Sequence, residues 1–345
     1  MLVRVVYHNI AIIAYMNPVA NDTVWCDNRP TDSSLVLEAR VALHHLDPDA
    51  FVNTLGPHPP ILHVEPGDTI VFHTLDAFGY DRAQVQRGVS PNPQSGPVWV
   101  NGAEPGDALE VDIVRLTPSR DRGWTRYPLA TNVVDPDIVI TFPERASADW
   151  AVDVESWTAR LIDPPQALQD LVLPLDPMIG CFGVAPLGGE AISTSTPGPH
   201  GGNMDWRGFR AGTKVWFPVG QPGALLAAGD GHARQGDGEI SGTGIEISME
   251  MELRVDLRKN WAISWPRGIT SDGTEIFTIG NARPLSQALQ HATTEMLTWL
   301  MSDYGYDLAS ASHLMGQTVG YDIGNIYNPA YTVVCRMQRE IIERG

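Results

Sequence analysis

Lysine is nearly absent from this 345-residue chain, occurring only at Lys214 and Lys259. Lys and Arg total 23 against 41 Asp and Glu, a formal charge of −18. The clustered positive charge that displaces counterions from nucleic acid or an anionic membrane is therefore missing. Neither is an expected partner, and a small neutral or cationic ligand fits better. Cysteine is scarce as well: Cys26, Cys181 and Cys335 are odd in number and widely spaced, which argues against a disulfide framework or a CxxC metal site and makes a reducing cytoplasm the expected compartment. No stretch approaches the roughly 18 apolar residues of a membrane helix. The apolar residues 10–16 are too few, and too poor in flanking basic and small residues, for a secretory signal; they read as a strand or a loosely attached tail. Also lacking are a Gly-x-Ser-x-Gly elbow, an HExxH pair, a P-loop and a helix-opening GxGxxG, so lipase-like, zincin and nucleotide-binding readings lose support.

What the chain has in quantity is Gly (33) and Pro (27), with only 19% charged residues, the composition of a compact, turn-rich protein with many short strands. The length allows one large domain or two intimately packed β subdomains. Glu65-Pro66-Gly67-Asp68 and Glu104-Pro105-Gly106-Asp107 are twin turn signals, Pro fixing the first central φ and Gly accepting a positive φ at the second. Each precedes an alternating strand, Thr69-Ile70-Val71-Phe72-His73 and Ala108-Leu109-Glu110-Val111-Asp112. Further strands are expected at 214–219, 225–228 and 244–255, the last half-buried with Glu246, Ser248, Glu250 and Glu252 on its polar side. Residues 117–165 give no clean period and read as strands with long loops. One long helix is expected over 286–302, with Leu285, Leu289, Ala292, Met296 and Leu300 on one face, Ser286 as cap, and Tyr304-Gly305-Tyr306 ending it. A shorter helix is expected near 308–315, within a helical C-terminal part, 284–345.

Chemistry concentrates in two glycine-framed segments, His200-Gly201-Gly202-Asn203-Met204-Asp205 and Gly229-Asp230-Gly231-His232-Ala233-Arg234-Gln235-Gly236-Asp237-Gly238-Glu239. Residues two apart in an extended segment share a face, so Asp230 and His232 project together, as do Asn203 and Asp205. His200, Asp205, Asp230 and His232 suffice for a divalent metal site: zinc suits the two imidazoles, and calcium is the alternative if oxygen ligands dominate. Glu239, or Glu104 beside its tight turn, is the expected general base, and Asn203 or glycine N–H groups the oxyanion donors. Turn-capping Asp and Asn are the bland reading of the same glycines. It accounts for Asp230 and Asp237 but not for two His and Glu239. Two competing readings are a Cys181 thiol nucleophile and a non-enzymatic, metal-stabilised β-sandwich binding module. His44 and His45 face opposite ways if extended, and the remaining His read as structural or exposed.

With these residues laid out, the chain resembles the acetamidase/formamidase family. The resemblance runs from about residue 60 to 254, through Pro59-Pro60-Ile61-Leu62-His63-Val64-Glu65-Pro66-Gly67-Asp68, Asn92-Pro93-Gln94-Ser95-Gly96-Pro97-Val98, Gly102 to Asp107, Gly183-Val184-Ala185-Pro186, and the two glycine-framed segments, all in matching order. It implies a mainly β, sandwich-type fold with few helices and a cytoplasmic homo-oligomer. The implied activity is hydrolysis of short linear amides to carboxylate and ammonia, with a divalent metal ion activating water. Residues 1–53 diverge, with an insertion around 46–58, and the match blurs again around 316–328.

Overall fold

The two Pro-Gly corners have one geometry. Gly67 and Gly106 both take φ +97°, Asp68 and Asp107 donate their N–H groups to Glu65 and Glu104 carbonyls at 3.1 and 3.0 Å, and each Asp carboxylate accepts from the Glu N–H at 3.0 and 2.9 Å. The φ > 0 that only Gly takes without cost reverses the chain, and the strands Thr69–His73 and Ala108–Pro118 follow, as the sequence predicts.

The computed structural model describes residues 6–7, 10–11 and 41–344. Val6–Tyr7 and Ile10–Ala11 pair with each other as short antiparallel strands; the rest of the apolar 10–16 stretch, and Cys26, lie outside the described residues. In the unit formed by 41–344, a nine-stranded sheet runs in the order 320–323, 331–338, 275–282, 267–269, 214–218, 108–118, 249–258, 69–73, 43–46. A ten-stranded sheet contains the run 122–127, 246–247, 226–232, 178–183, 201–203, with 95–100 also on 226–232. One apolar core lies between them, built from Ile70, Phe72, Val111 and Leu253 of the first sheet and Ile179, Phe182, Leu226 and Ile247 of the second. Burying each such side chain contributes about 1.5–3 kcal/mol.

The strand expected over 244–255 divides at Ser248. Glu246–Ile247 belongs to the ten-stranded sheet and Met249–Arg258 to the nine-stranded one. Ser248 is pinned at the crossing: its carbonyl accepts from Ser119 N at 2.9 Å and the two hydroxyls meet at 2.8 Å. The alternation holds from Met249 onward, but before it Glu246 and Ser248 are buried, because a strand that changes sheets meets protein on both faces. In 117–165 the expected strands are Arg122–Tyr127, Ala146–Asp153 and Thr158–Leu161.

The long helix is Leu285–Asp303, and it ends at Tyr304 with Gly305 at φ +76°. Its buried face is Ala288, Ala292, Glu295, Met296, Trp299 and Leu300, one step round from the expected face, and Leu289 is exposed. Pro284, not Ser286, occupies the cap position. The helix packs through Ala292 and Met296 on Ile276, Val333 and Met337 of the nine-stranded sheet, forming a second core. Glu295 is buried because it pairs with Arg267 at 2.6 Å. The shorter helix runs Leu308–Thr318, capped by Asp307, which accepts from Ser310 N at 2.7 Å.

Candidate active site

Strand Leu226–His232 is buried along its whole length. On one side it pairs with Met178–Gly183, Met178 opposite His232 and Cys181 opposite Gly229; on the other it pairs with Glu246–Ile247, His232 opposite Glu246. Glycine recurs here because the neighbours leave no room. A Cβ on Gly180 would lie 2.6 Å from Asp205 Oδ1 and 2.7 Å from Asp230 Oδ2, and one on Gly244 would lie 2.5 Å from the His232 ring. The space a side chain would fill is kept open beside two carboxylates.

Asp205, Asp230 and His232 each bring one ligand atom to within 4.8 Å of the others, and His232, Glu239 and Glu246 do the same. His232 Nε2 is 3.1 Å from Glu246 Oε1 and 3.6 Å from Asp230 Oδ1. All five side chains are buried. Asp205 Oδ1, Asp230 Oδ1, His232 Nε2, Glu239 Oε2 and Glu246 Oε2 are buried without a hydrogen-bond partner among the described residues, although buried polar atoms are almost always paired. Asp205, Asp230 and Glu239 also take positive φ, +47°, +58° and +47°, a backbone conformation that costs non-glycine residues about 1–3 kcal/mol each and gathers at functional sites.

Three side-chain amides hold the opposite ends of these groups. Asn328 Nδ2 donates to Asp205 Oδ2 at 2.5 Å, Asn92 Nδ2 donates to Asp230 Oδ2 at 2.8 Å, and Gln235 Oε1 lies 2.7 Å from His232 Nδ1. Asn92 Nδ2 also reaches Asn203 Oδ1 at 2.7 Å, and Asn92 is the half-buried member of this set. Asp205, Asp230 and His232 thus each have one heteroatom tied to an amide and the other left for the centre.

Four carboxyl groups around a single imidazole cannot all ionise inside protein, since the one imidazolium leaves most of the negative charge unbalanced. Burial, with the neighbouring Asp230, pushes Asp205 well above the carboxylate range; burial and Asp205 do the same to Glu239. Burial lifts Glu246 to about 7, with His232 pulling the other way. Burial opposes charge on His232, but Glu246 and Asp230 outweigh it and hold the imidazole well above its ordinary value. A divalent cation is the other way to neutralise the cluster. The oxygens and the nitrogen that lack partners are the donors such an ion takes, so Asp205, Asp230 and His232 form a group able to hold a metal ion.

Of the residues singled out in the sequence, Asp205, Asp230, His232, Glu239 and Asn203 come together. His200 does not join them in either ligand group. It is buried at the tip of the Gly198–Gly201 turn, its ring against Gly198 and Gly202, and it lines a separate cavity of about 450 Å³ with Pro186, Ile192 and Ile263. Burial lowers its pKa to about 4. Glu104 is exposed on its turn. Cys181 is fully buried, donates its thiol to the Thr194 carbonyl at 3.3 Å, and is pushed well above the usual thiol range by burial and by Asp230 and Asp205; a thiolate nucleophile needs the reverse environment. His44 bonds Asp68 at 2.9 Å and His45 stacks on His73. Sequence reasoning missed Glu246, assigned to a solvent face, and the amides of Asn92 and Asn328. Gln235 stood inside the ligand-rich segment without a role. Only the ladder partner of His232 reveals Glu246, and that pairing is not written in the spacing.

The Acetamidase/Formamidase family model matches residues 184–328. The acetamidase of Mycolicibacterium smegmatis is 28% identical over 247 residues, 55% of this chain and 58% of that protein, so the match spans less than two thirds of that relative. Solved structures match over nearly their whole lengths. The acetamidase of Bacillus halodurans is 30% identical with a TM-score of 0.75, covering 87% of this chain and 99% of that one. The acetamidase of Yersinia enterocolitica is 32% identical with a TM-score of 0.77, covering 88% and 94%. Sheet architecture, matched residues and identity at this coverage agree: the chain belongs to the acetamidase/formamidase family.

Proposed function

We propose that the protein is an amidase that hydrolyses short linear amides of the formamide and acetamide type to a carboxylate and ammonia, at the cluster around His232. The observation that carries this reading is the convergence of five buried, partnerless donor atoms from Asp205, Asp230, His232, Glu239 and Glu246 in a member of a family whose relatives are named for this activity. Asp205, Asp230 and His232 would hold a divalent ion, zinc in the first instance and calcium as the oxygen-favouring alternative, with Glu239 and Glu246 on its other side. Such an ion supplies Lewis-acid polarisation of the amide carbonyl and an activated water near neutral pH.

The chain's own groups do the rest. Glu239, buried beside His232, is the group placed to take a proton from the attacking water and return it to the leaving nitrogen; such a group contributes about 10²–10⁴-fold. With Asn203 Oδ1 accepting from Asn92, the Asn203 amide N–H groups are the donors left for the oxyanion, worth roughly 10²–10³-fold. Burial of the cluster strengthens each of these electrostatic interactions. In this reading His200, which stands outside both ligand groups, is not a ligand, and exposed Glu104 does not move the proton. The free thiols Cys181 and Cys335, both buried, fit a cytoplasmic enzyme, and a homo-oligomer is part of the same proposal. No helix among the described residues is long and apolar enough to cross a membrane.

Metal analysis of the purified protein, coupled to ammonia release from formamide, acetamide and longer amides, tests this. Wild type should contain a divalent ion and turn over the short amides, while His232→Ala and Glu239→Gln should lose activity. Full activity in both variants would place the reaction elsewhere. Tight amide binding without turnover by metal-replete protein would favour a binding module.

A further inference from the structure

We propose that Gln235 is a positioning residue that sets the tautomer of His232, holding the proton on Nδ1 so that Nε2 is the nitrogen that gives up its proton and offers a lone pair to a cation at the centre formed by Asp205 and Asp230. This rests on the metal-site reading above and extends it to a residue outside the ligand set.

Which way the Gln235 amide points is decided by its surroundings. One end of the amide faces two carbonyl oxygens, Asp205 O at 2.5 Å and Gly324 O at 3.4 Å. Both are acceptors only, so the NH2 group must face them; the flipped amide would set oxygen against oxygen. The other end, 2.7 Å from His232 Nδ1, is therefore Oε1, and an oxygen there requires Nδ1–H as its donor. The remaining nitrogen, Nε2, faces the carboxylates of Glu246 and Asp230.

Without Gln235 the preference would reverse. Glu246 Oε1 and Asp230 Oδ1 lie 3.1 and 3.6 Å from Nε2, and carboxylates on that side favour the Nε2–H tautomer, which has no lone pair at Nε2 to offer a cation. The ring packs closely on Gly244, where an added Cβ would lie 2.5 Å from its Cγ and Nδ1. Gln235 is itself buried, and its amide ties together the end of strand Leu226–His232, the Asp205 backbone and the Gly324 turn. A neutral amide does this without adding charge to an already crowded acidic centre.

The test uses full-length protein loaded with Zn²⁺, and reads zinc affinity and the ¹⁵N signature of His232. Wild type should show Nδ1–H with Nε2 as the ligating nitrogen. Gln235→Met, similar in length but without an acceptor, should bind Zn²⁺ about 10–100-fold more weakly, the scale of losing an outer-shell partner of a ligating His. Gln235→Glu keeps an acceptor for Nδ1–H and, protonated on its other oxygen, a donor to the two carbonyls, and should recover most of that affinity. Should Gln235→Met match wild type in affinity and ¹⁵N pattern, or Gln235→Glu bind as poorly as Gln235→Met, the tautomer role is wrong and Gln235 merely tethers the loops. Asp205→Asn and Asp230→Asn separate the two claims: if both bind Zn²⁺ like wild type, the metal reading itself fails, and the Gln235 role with it.

Discussion

Asp230 and His232 stand two residues apart on one buried strand, with Oδ1 of the first 3.6 Å from Nε2 of the second. The strand does not present them by simple alternation: Asp230 takes φ +58°, and that local left-handed residue turns its carboxylate toward Asp205 as well as toward the imidazole. The pair lies at the middle of the buried acidic cluster, within reach of Asp205, Glu239 and Glu246.

Neutralising one carboxylate should separate metal affinity from stability. Asp205→Asn retains the shape but removes a carboxyl whose ionisation burial and Asp230 oppose. Metal-free Asp205→Asn is expected to be more stable than metal-free wild type at pH 8, yet to bind Zn²⁺ more weakly. Denaturant unfolding with chelator present, beside zinc titration, reads both; lower stability in the metal-free variant would show that charge crowding is not the dominant strain.

The metal-free protein should weaken as pH rises. Burial lifts Glu246 to about 7 and holds Asp205 and Glu239 well above their ordinary values, so the native state keeps protons that the unfolded chain releases. That contribution is complete below the unfolded carboxylate pKa, about 4.3, and is lost as pH passes through about 7. Unfolding midpoints of chelated protein should therefore fall between pH 5 and 8, and Glu246→Gln should flatten the decline. A cation displaces these protons, so affinity for it should rise over the same range.

His200 predicts the opposite slope at the acid end. Burial depresses it to about 4, so the folded state holds it neutral while the unfolded chain protonates it from about 6.5 downward. Its stabilisation is present above pH 6.5 and lost as pH falls toward 4, roughly 3 kcal/mol in all. Metal-loaded His200→Leu should lose less stability over that interval than wild type, with zinc affinity unchanged. A tenfold drop in affinity would return His200 to the ligand set.

Gly180→Ala tests the cavity beside the carboxylates. Its methyl group would sit 2.6 Å from Asp205 Oδ1 and 2.7 Å from Asp230 Oδ2, and one or both must move. Zinc affinity should drop by about 10–100-fold, comparable with removal of an outer-shell partner. Unchanged affinity would mean the ligands lie elsewhere.

Much of this architecture is legible locally. The Pro-Gly corners, the strands they launch and the Leu285–Asp303 helix depend on near neighbours in sequence. Glycine spacing also marks the segments that bring Asp205, Asp230, His232 and Glu239 near one another, because close backbone approach leaves its mark as glycine. His200 shares a motif with Asp205, but across the bend at Gly201-Gly202, with φ of +93° and +86°, it lines a cavity with Pro186 and Ile263. Glu246 and Asn328 are hidden because their roles come from pairing across the sheet and from a loop over a hundred residues away. The strand that looks half-exposed changes sheets at Ser248, and nothing in its alternation announces the change.

The most direct test of the central claim is ammonia release from acetamide before chelation, after it, and after Zn²⁺ is returned, with bound metal measured on the same samples. The account predicts activity that falls to background as the metal is removed and returns with it, while Cys181→Ala follows the wild-type course. Undiminished ammonia release from protein shown to contain no metal would contradict it.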